Sequence, residues 1–302
     1  MKSVRVHIPA TTANLGPGFD TLGLTLDLWN STEFLLTASG LEIEITGEGA
    51  DFLPRDESSL VYRAFIAACL EIDQPVPAGL RIHCSNAIPA GSGMGSSAAA
   101  VLAGILGAGA LLEQPFTLPE ALSLAQKIEG HADNAAAALL GGLIIAVQHE
   151  GELITRRFDI PQHPVVIILP DVDLPTRAAR AALPTCIPIQ DAVHNIGRTA
   201  LVVEALRSND WELLKVAMED RLHQPYRFPL IPGAAAARKA ALDAGAPACV
   251  LSGAGPSLIA FCQHDPINIA LAMQSAFAAS GIVAKYYFLV TTNLPARIDE
   301  HI

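Results

Sequence analysis

Three glycines at alternate positions, Gly91, Gly93 and Gly95, are followed at once by Ser96, Ser97 and an alanine-rich run. Glycine accepts positive φ and lets the backbone come close to a ligand. A helix that starts directly afterwards aims free amide hydrogens and the positive end of its dipole into the turn. The stretch from Pro89 to Ala99 therefore reads as an anion nest suited to an oligophosphate. The hydroxyls of Ser96 and Ser97 can add a phosphate hydrogen bond and a ligand for a hard cation. A glycine-rich connection with a serine cap would account for a single Gly-x-Gly, but not for three glycines, two serines and a helix together. No lysine lies between Arg81 and Lys127, so the loop is not a P-loop, which needs Gly-Lys-Ser/Thr. A dinucleotide fingerprint fits poorly too, because its acidic residue would be Glu113, at the end of a helix rather than of a strand.

With 302 residues, 51% of them hydrophobic and 16% charged, the chain can bury the core of one large domain or of two closely packed ones. Its net charge of −11 opposes binding to nucleic acid or to anionic lipid. The apolar stretches around Ala98 to Leu112 and Ala135 to Ile145 are broken by glycine and fall short of the roughly 20 residues a bilayer requires. They read as buried helices. The amino-terminal alternation from Met1 to Ile8 lacks the apolar core of a secretory signal, so a cytoplasmic location is expected. Cys69, Cys84, Cys186, Cys249 and Cys262 show no CxxC spacing and read as buried, reduced thiols.

Period-two patterning predicts strands at residues 4–8, 32–37 and 41–46, and Asp56 is placed to cap a helix over 57–72. A strand at 79–84, helices at 97–112, 118–130 and 132–140, and strands at 143–148, 153–158 and 165–169 follow. From Pro175 onward, helices separated by prolines give way to a split β-α-β element over 248–290. The pattern is α+β, with a division expected between residues 1–170 and 171–302.

The segment Pro89 to Ala99 resembles the second motif of the GHMP kinases, Pro-x-x-x-Gly-Leu-Gly-Ser-Ser-Ala, with Met94 in place of leucine. The turn Leu251-Ser252-Gly253-Ala254-Gly255-Pro256-Ser257 resembles the third. Pro9 to Gly23, which contains Asn14 and Asp20, is similar to the first motif as homoserine kinases carry it. Glu129-Gly130-His131-Ala132-Asp133-Asn134 matches a further homoserine kinase segment, and 174–180 and 221–227 match in register.

The resemblance implies an amino-terminal domain like ribosomal protein S5 domain 2 and a ferredoxin-like carboxy-terminal domain. It implies ATP bound by Pro89, Ala90, Gly91, Ser92, Gly93, Met94, Gly95, Ser96, Ser97, Ala98 and Ala99, with Mg2+ on Ser97 and Glu129. L-homoserine would be held by Asn14, Asp20, Thr176, Arg180, Arg227 and Gly253, and phosphorylated to O-phospho-L-homoserine for threonine biosynthesis. Asn134 would orient the acceptor hydroxyl, and Asp133 would serve as base or as a helix cap. Asn14 and Asp20 could equally cap their own loop, and Glu129 could be a solvated helix-end charge. The nucleotide base is expected against apolar side chains of the 53–62 region. A homodimer is compatible with the resemblance. Two other readings stay open: another GHMP kinase of the mevalonate type, or a binding protein of this fold without catalysis.

Overall fold

The computed structural model describes residues 2–301, and its eleven strands among them form two sheets. In the first, β1 (Ser3–Ala13) runs antiparallel to β2 (Leu22–Leu36). The two ends of β2 serve different neighbours: residues 31–36 pair with β4 (Gly79–Asn86) and residues 22–24 with β5 (Leu143–His149). β3 (Gly40–Gly47) lies parallel to β4, and β6 (Glu152–Phe158) extends β5. β11 (Arg297–His301) returns from the end of the chain to the free edge of β1. β1 is longer than the alternation predicts, because Thr11 and Thr12 remain paired with Thr25 and Leu24 beyond a register shift at Pro9/Ala10. A proline is tolerated at such an irregularity because it has no amide to donate.

Helices α1 (Leu60–Glu71), α2 (Ser96–Leu111), α3 (Leu118–Glu129) and α4 (Asp133–Leu140) share the core of this sheet. α2 is buried along nearly its whole length. Its glycines permit that: a Cβ at Gly104 would stand 2.4 Å from the Val61 carbonyl oxygen, so α1 can approach only a helix without a side chain there. A reciprocal Thr117–Glu120 capping box opens α3. The expected Asp56 cap does not form. α1 begins three residues later than expected, and the Asp56 carboxylate accepts instead from the amide and hydroxyl of Ser58.

The second sheet has the order β10-β7-β9-β8, from β7 (Pro164–Pro170), β8 (Ala248–Leu251), β9 (Leu258–Phe261) and β10 (Ala284–Val290), with every neighbour antiparallel. Read within that unit the order is 4-1-3-2, the ferredoxin-like arrangement. β7 thus belongs with the carboxy-terminal strands, and the division expected after residue 170 falls on the wrong side of it. The reason is burial. Val165 and Ile167 face the first core together with α6 (Ile189–Ser208) and α7 (Trp211–Ala217). Val166 and Ile168 face the second, under α9 (Ala234–Asp243) and α10 (Pro266–Ala279). A strand covered on both faces reads as a continuous apolar run that fits either domain.

Two short helices, α5 (Thr176–Ala181) and α8 (Gln224–Arg227), bring the remaining cleft residues into place. Among the described residues no helix is long and apolar enough to cross a membrane. Burial pushes the thiols of Cys69, Cys84, Cys249 and Cys262 up to about 11, 11, 12 and 11, leaving them unreactive near neutrality. Cys186 departs from expectation in being exposed.

Candidate active site

A cleft of about 750 Å³ opens where the amino terminus of α2 meets five other segments: the loop after β1, the α3–α4 turn, α5 with the residues just before it, α8 and the β8–β9 turn. It gathers Asn14, Asp20, Ser97, Glu129, Asp133, Asn134, Thr176, Arg180, Arg227 and Gly253 from segments far apart in sequence, together with Gly91 to Gly93 and Gly95 to Ala98. Pro89, Ala90, Met94 and Ala99 do not line it. Met94 turns its side chain wholly into the core, so the position that departs from the family motif contributes packing rather than a phosphate contact. The 53–62 segment adds no wall either.

The two glycine turns are packed against each other. Gly93 has a φ of +79°, and a Cβ there would lie 2.3 Å from the Ser252 carbonyl oxygen and 2.8 Å from that of Gly255. The Ser252 hydroxyl donates to the Gly93 carbonyl at 2.7 Å, so the β8–β9 turn braces the loop from the second sheet. Ser92 braces it from within, donating to the Pro89 carbonyl at 2.7 Å and accepting from the Met94 amide at 3.2 Å. The backbone amides of the first α2 turn have no intrahelical partner, which is what a phosphate requires.

The Ser97 hydroxyl donates to the Glu129 carboxylate across the mouth of this loop. An all-oxygen pair of one hydroxyl and one carboxylate suits a hard divalent cation that takes its other ligands from phosphate and water. Among the described residues no cluster of three or more His, Cys, Asp or Glu forms a metal cage.

Deeper in the cleft, Asn134 Oδ1 accepts from the Thr11 hydroxyl at 2.9 Å, which fixes the amide plane. Asp133 is buried, and its Oδ1 lies 3.1 Å from His131 Nδ1 and accepts from the Asn134 amide at 2.8 Å. That hydrogen bond raises the pKa of His131, against the opposing effect of burial. Asp133 thus opens α4 as its first residue, with its carboxylate engaged by the Asn134 amide and the His131 ring.

Asp20 and Arg180 form a bidentate ion pair. Arg227 is only 1% exposed; burial, aided by the Arg180 charge, pushes its pKa down to about 10, so it keeps its proton at neutral pH. Its guanidinium lies over the Phe19 ring, 5.0 Å from the centroid. Asn14 is 3% exposed with φ of +70°, donates to the Gly253 carbonyl at 2.7 Å and accepts from the Asp20 amide at 3.0 Å. Of the two readings of Asn14, this geometry supports loop capping. Gly253 is likewise engaged, its carbonyl accepting from both Asn14 and Arg227.

The chain matches the GHMP kinases N terminal domain over residues 59–142 and the GHMP kinases C terminal domain over 202–279. It is 44% identical to a homoserine kinase of Moorella thermoacetica over 92% of this chain and 93% of that one. It belongs to the homoserine kinases of the GHMP superfamily. A Synechococcus homoserine kinase is 43% identical over 98% of both chains. The solved homoserine kinase of Cytophaga hutchinsonii superposes with a TM-score of 0.86 at 31% identity, covering 98% of this chain and 97% of that one. A solved L. major mevalonate kinase shares the fold at a TM-score of 0.73 and 16% identity, over 96% of each chain.

His131, Asp173 and Arg177 also line this homoserine kinase cleft, beyond the site residues that the sequence motifs single out. Arg177 had an available signal, since it stands between Thr176 and Arg180 in a matched segment and one turn of helix from Arg180. Phe19 had none, because a lone aromatic beside glycines carries no chemistry until two arginines are found against it.

Proposed function

We propose that this chain transfers the γ-phosphoryl group of ATP to the side-chain hydroxyl of L-homoserine, giving O-phospho-L-homoserine for threonine biosynthesis. The observation that carries this reading is the juxtaposition, in one cleft, of a lysine-free phosphate nest at a helix amino terminus with Asp20, Arg180 and Arg227. That pattern of one carboxylate and two guanidiniums suits an α-amino acid, whose ammonium and carboxylate need opposite partners. Mevalonate and sugars carry no ammonium for Asp20.

In this reading the amides and hydroxyls of Gly91 to Ala98 hold the triphosphate. Ser97 and Glu129 would hold Mg2+, which neutralises phosphate charge. Asp20 takes the substrate ammonium, Arg180 and Arg227 its carboxylate, and Thr176 closes the same end of the cleft. Asn134, its Oδ1 anchored by Thr11 and its Nδ2 donating to Asp133 Oδ1 at 3.4 Å, offers its other amide hydrogen to the acceptor hydroxyl. That oxygen forms the new bond to phosphorus as the bond to the ADP oxygen breaks, and the hydroxyl proton leaves to a phosphoryl oxygen. A loose transition state draws most of its stabilisation from positioning and charge neutralisation, so no dedicated base is required.

ADP release should be measured with Mg-ATP and L-homoserine, mevalonate or galactose offered separately. Turnover of homoserine alone is expected. Turnover of another acceptor in its place would overturn the substrate, and turnover of none would favour a binding protein of this fold.

A further inference from the structure

A guanidinium enclosed as fully as that of Arg227 needs something to set its direction, and its neighbour one turn earlier on the chain does so. His223 is wholly buried. Its Nε2 lies 2.8 Å from the Gly16 carbonyl oxygen, which can only accept, so Nε2 carries a hydrogen. Its Nδ1 lies 3.2 Å from Arg227 Nη1, which can only donate, so Nδ1 is bare. The two partners demand the same neutral tautomer. The other contacts of the guanidinium group, to the carbonyls of Ala179 at 3.3 Å and Gly253 at 3.4 Å, are longer.

The imidazole is itself held. Asp220 accepts from the amides of Leu222, His223 and Gln224 at 2.8, 3.1 and 2.7 Å, and from Asn195 Nδ2 at 2.7 Å, which fixes the backbone that carries the ring. The Phe19 ring stacks on the imidazole at 5.2 Å and also carries the Arg227 guanidinium at 5.0 Å, so one aromatic ring contacts both. The charged groups facing His223 are Asp220 and Asp20, which favour its protonation, and Arg227, which opposes it; burial outweighs the carboxylates and lowers its pKa.

We propose that His223, as the neutral Nε2–H tautomer, is the positioning residue for Arg227 and thereby sets the affinity of the cleft for a carboxylate-bearing substrate. The proposal rests on the assignment of Arg227 to the homoserine carboxylate. A second N–H on the ring would face the guanidinium donor, so protonation releases Arg227 and weakens homoserine binding on the acid side.

His223→Gln can keep the hydrogen bond to Gly16 but loses the acceptor at the Nδ1 position; His223→Asn keeps an acceptor near that position and gives up Gly16. The glutamine variant should raise the homoserine KM about tenfold while the ATP KM stays within about twofold, with the asparagine variant between it and the parent. In an Arg227→Gln background, His223→Gln should add no more than about twofold to the homoserine KM, as expected for residues acting through one contact. An equal increase in both backgrounds, or a joint rise of both KM values, would overturn the role of His223 alone. An unchanged homoserine KM in Arg227→Gln by itself would sink the carboxylate assignment and this inference with it. Should the variants not fold, ¹⁵N-histidine spectra of the unaltered protein decide: protonated Nε2 with bare Nδ1 at pH 7 is expected, and the opposite tautomer or a doubly protonated ring overturns the proposal.

Discussion

Asp20 and Arg180 meet through two hydrogen bonds of 2.8 and 2.9 Å although 160 positions separate them in the chain. Their side chains are 40% and 38% exposed, so solvent screens the pair and it contributes only about 0–1 kcal/mol to folding. Its use is in binding: a zwitterionic substrate can exchange its ammonium and carboxylate for the two partners, one for one. Arg180→Gln and Asp20→Asn should each raise the homoserine KM by about 10- to 100-fold through loss of a charge-assisted contact. Melting temperatures should stay within about 2 °C of the parent. Stability loss without a KM change would mean that the pair is a structural clasp.

Arg227 differs because it is enclosed. Arg227→Gln removes a buried cation and its bonds to the Ala179 and Gly253 carbonyls, which should cost about 1–3 kcal/mol of stability. The homoserine KM should rise by about 100-fold while the ATP KM moves by less than about twofold, because the hydrogen bonds of Arg227 run to Ala179, His223 and Gly253 and not to the 91–98 loop. Steady-state kinetics with each substrate varied in turn, beside denaturant melts, checks both halves; equal losses for both substrates would contradict the assignment.

The phosphate nest was legible in sequence because its chemistry is local: alternate glycines, two hydroxyls and a helix start fall within a dozen residues. Its lack of lysine pointed away from the commoner nucleotide loops. The Asp20–Arg180 pair was not legible as a pair, since only the packing of α5 against the loop after β1 brings them together. Asn14 was ambiguous for a physical reason, because an asparagine at positive φ looks the same whether it caps a turn or offers its amide to a ligand. The sequence of β7 does not tell which sheet it joins, because a strand buried on both faces carries no alternation to distinguish the layers. β11 gave no signal of its own; an edge strand near a terminus is recruited by the partner edge of β1.

Glu129→Gln tests the cation site independently of the amino acid end. The neutral amide remains a weaker oxygen ligand, so the Mg2+ concentration giving half-maximal rate should rise and kcat should fall about 100-fold. Its Ser97 contact sits at the cleft mouth and fold stability should be unaffected. An unchanged Mg2+ dependence would remove Glu129 from the metal assignment.

Buried histidines set a pH dependence of stability whose sign can be worked out. Burial lowers the folded-state pKa of both His163 and His223 below the value of about 6.5 that an unfolded chain shows. Their contribution is therefore fully present above about pH 6.5 and is lost as pH falls towards the folded values, where the unfolded state binds more protons. His131 has the opposite sign, since Asp133 raises its pKa, and offsets part of the loss. Urea midpoints should decline between pH 7 and about 5.5. His163→Gln, which can keep a donor to the Leu206 carbonyl, should flatten that decline; a midpoint that does not change with pH would contradict the account.

The junction of the two glycine turns gives the sharpest steric test. At Gly93 an alanine would meet two carbonyl oxygens, of Ser252 and Gly255, at distances no Cβ tolerates, and would sit at φ of +79° where L-residues are strained. The backbone term alone is about 1–2 kcal/mol, and relief of the clash requires the β8–β9 turn to withdraw. Withdrawal breaks the bond from Ser252 to the Gly93 carbonyl and moves Gly253, which holds both Asn14 and Arg227. Gly93→Ala should therefore lower stability and raise the KM of ATP and of homoserine together, unlike the arginine variants. Gly91→Ala is the control for the packing of the two turns, because its Cβ meets no protein atom: it should add the strain of positive φ and affect ATP, but leave the homoserine KM unchanged. If both alanines behaved alike, backbone strain rather than the packing of one turn on the other would govern the loop.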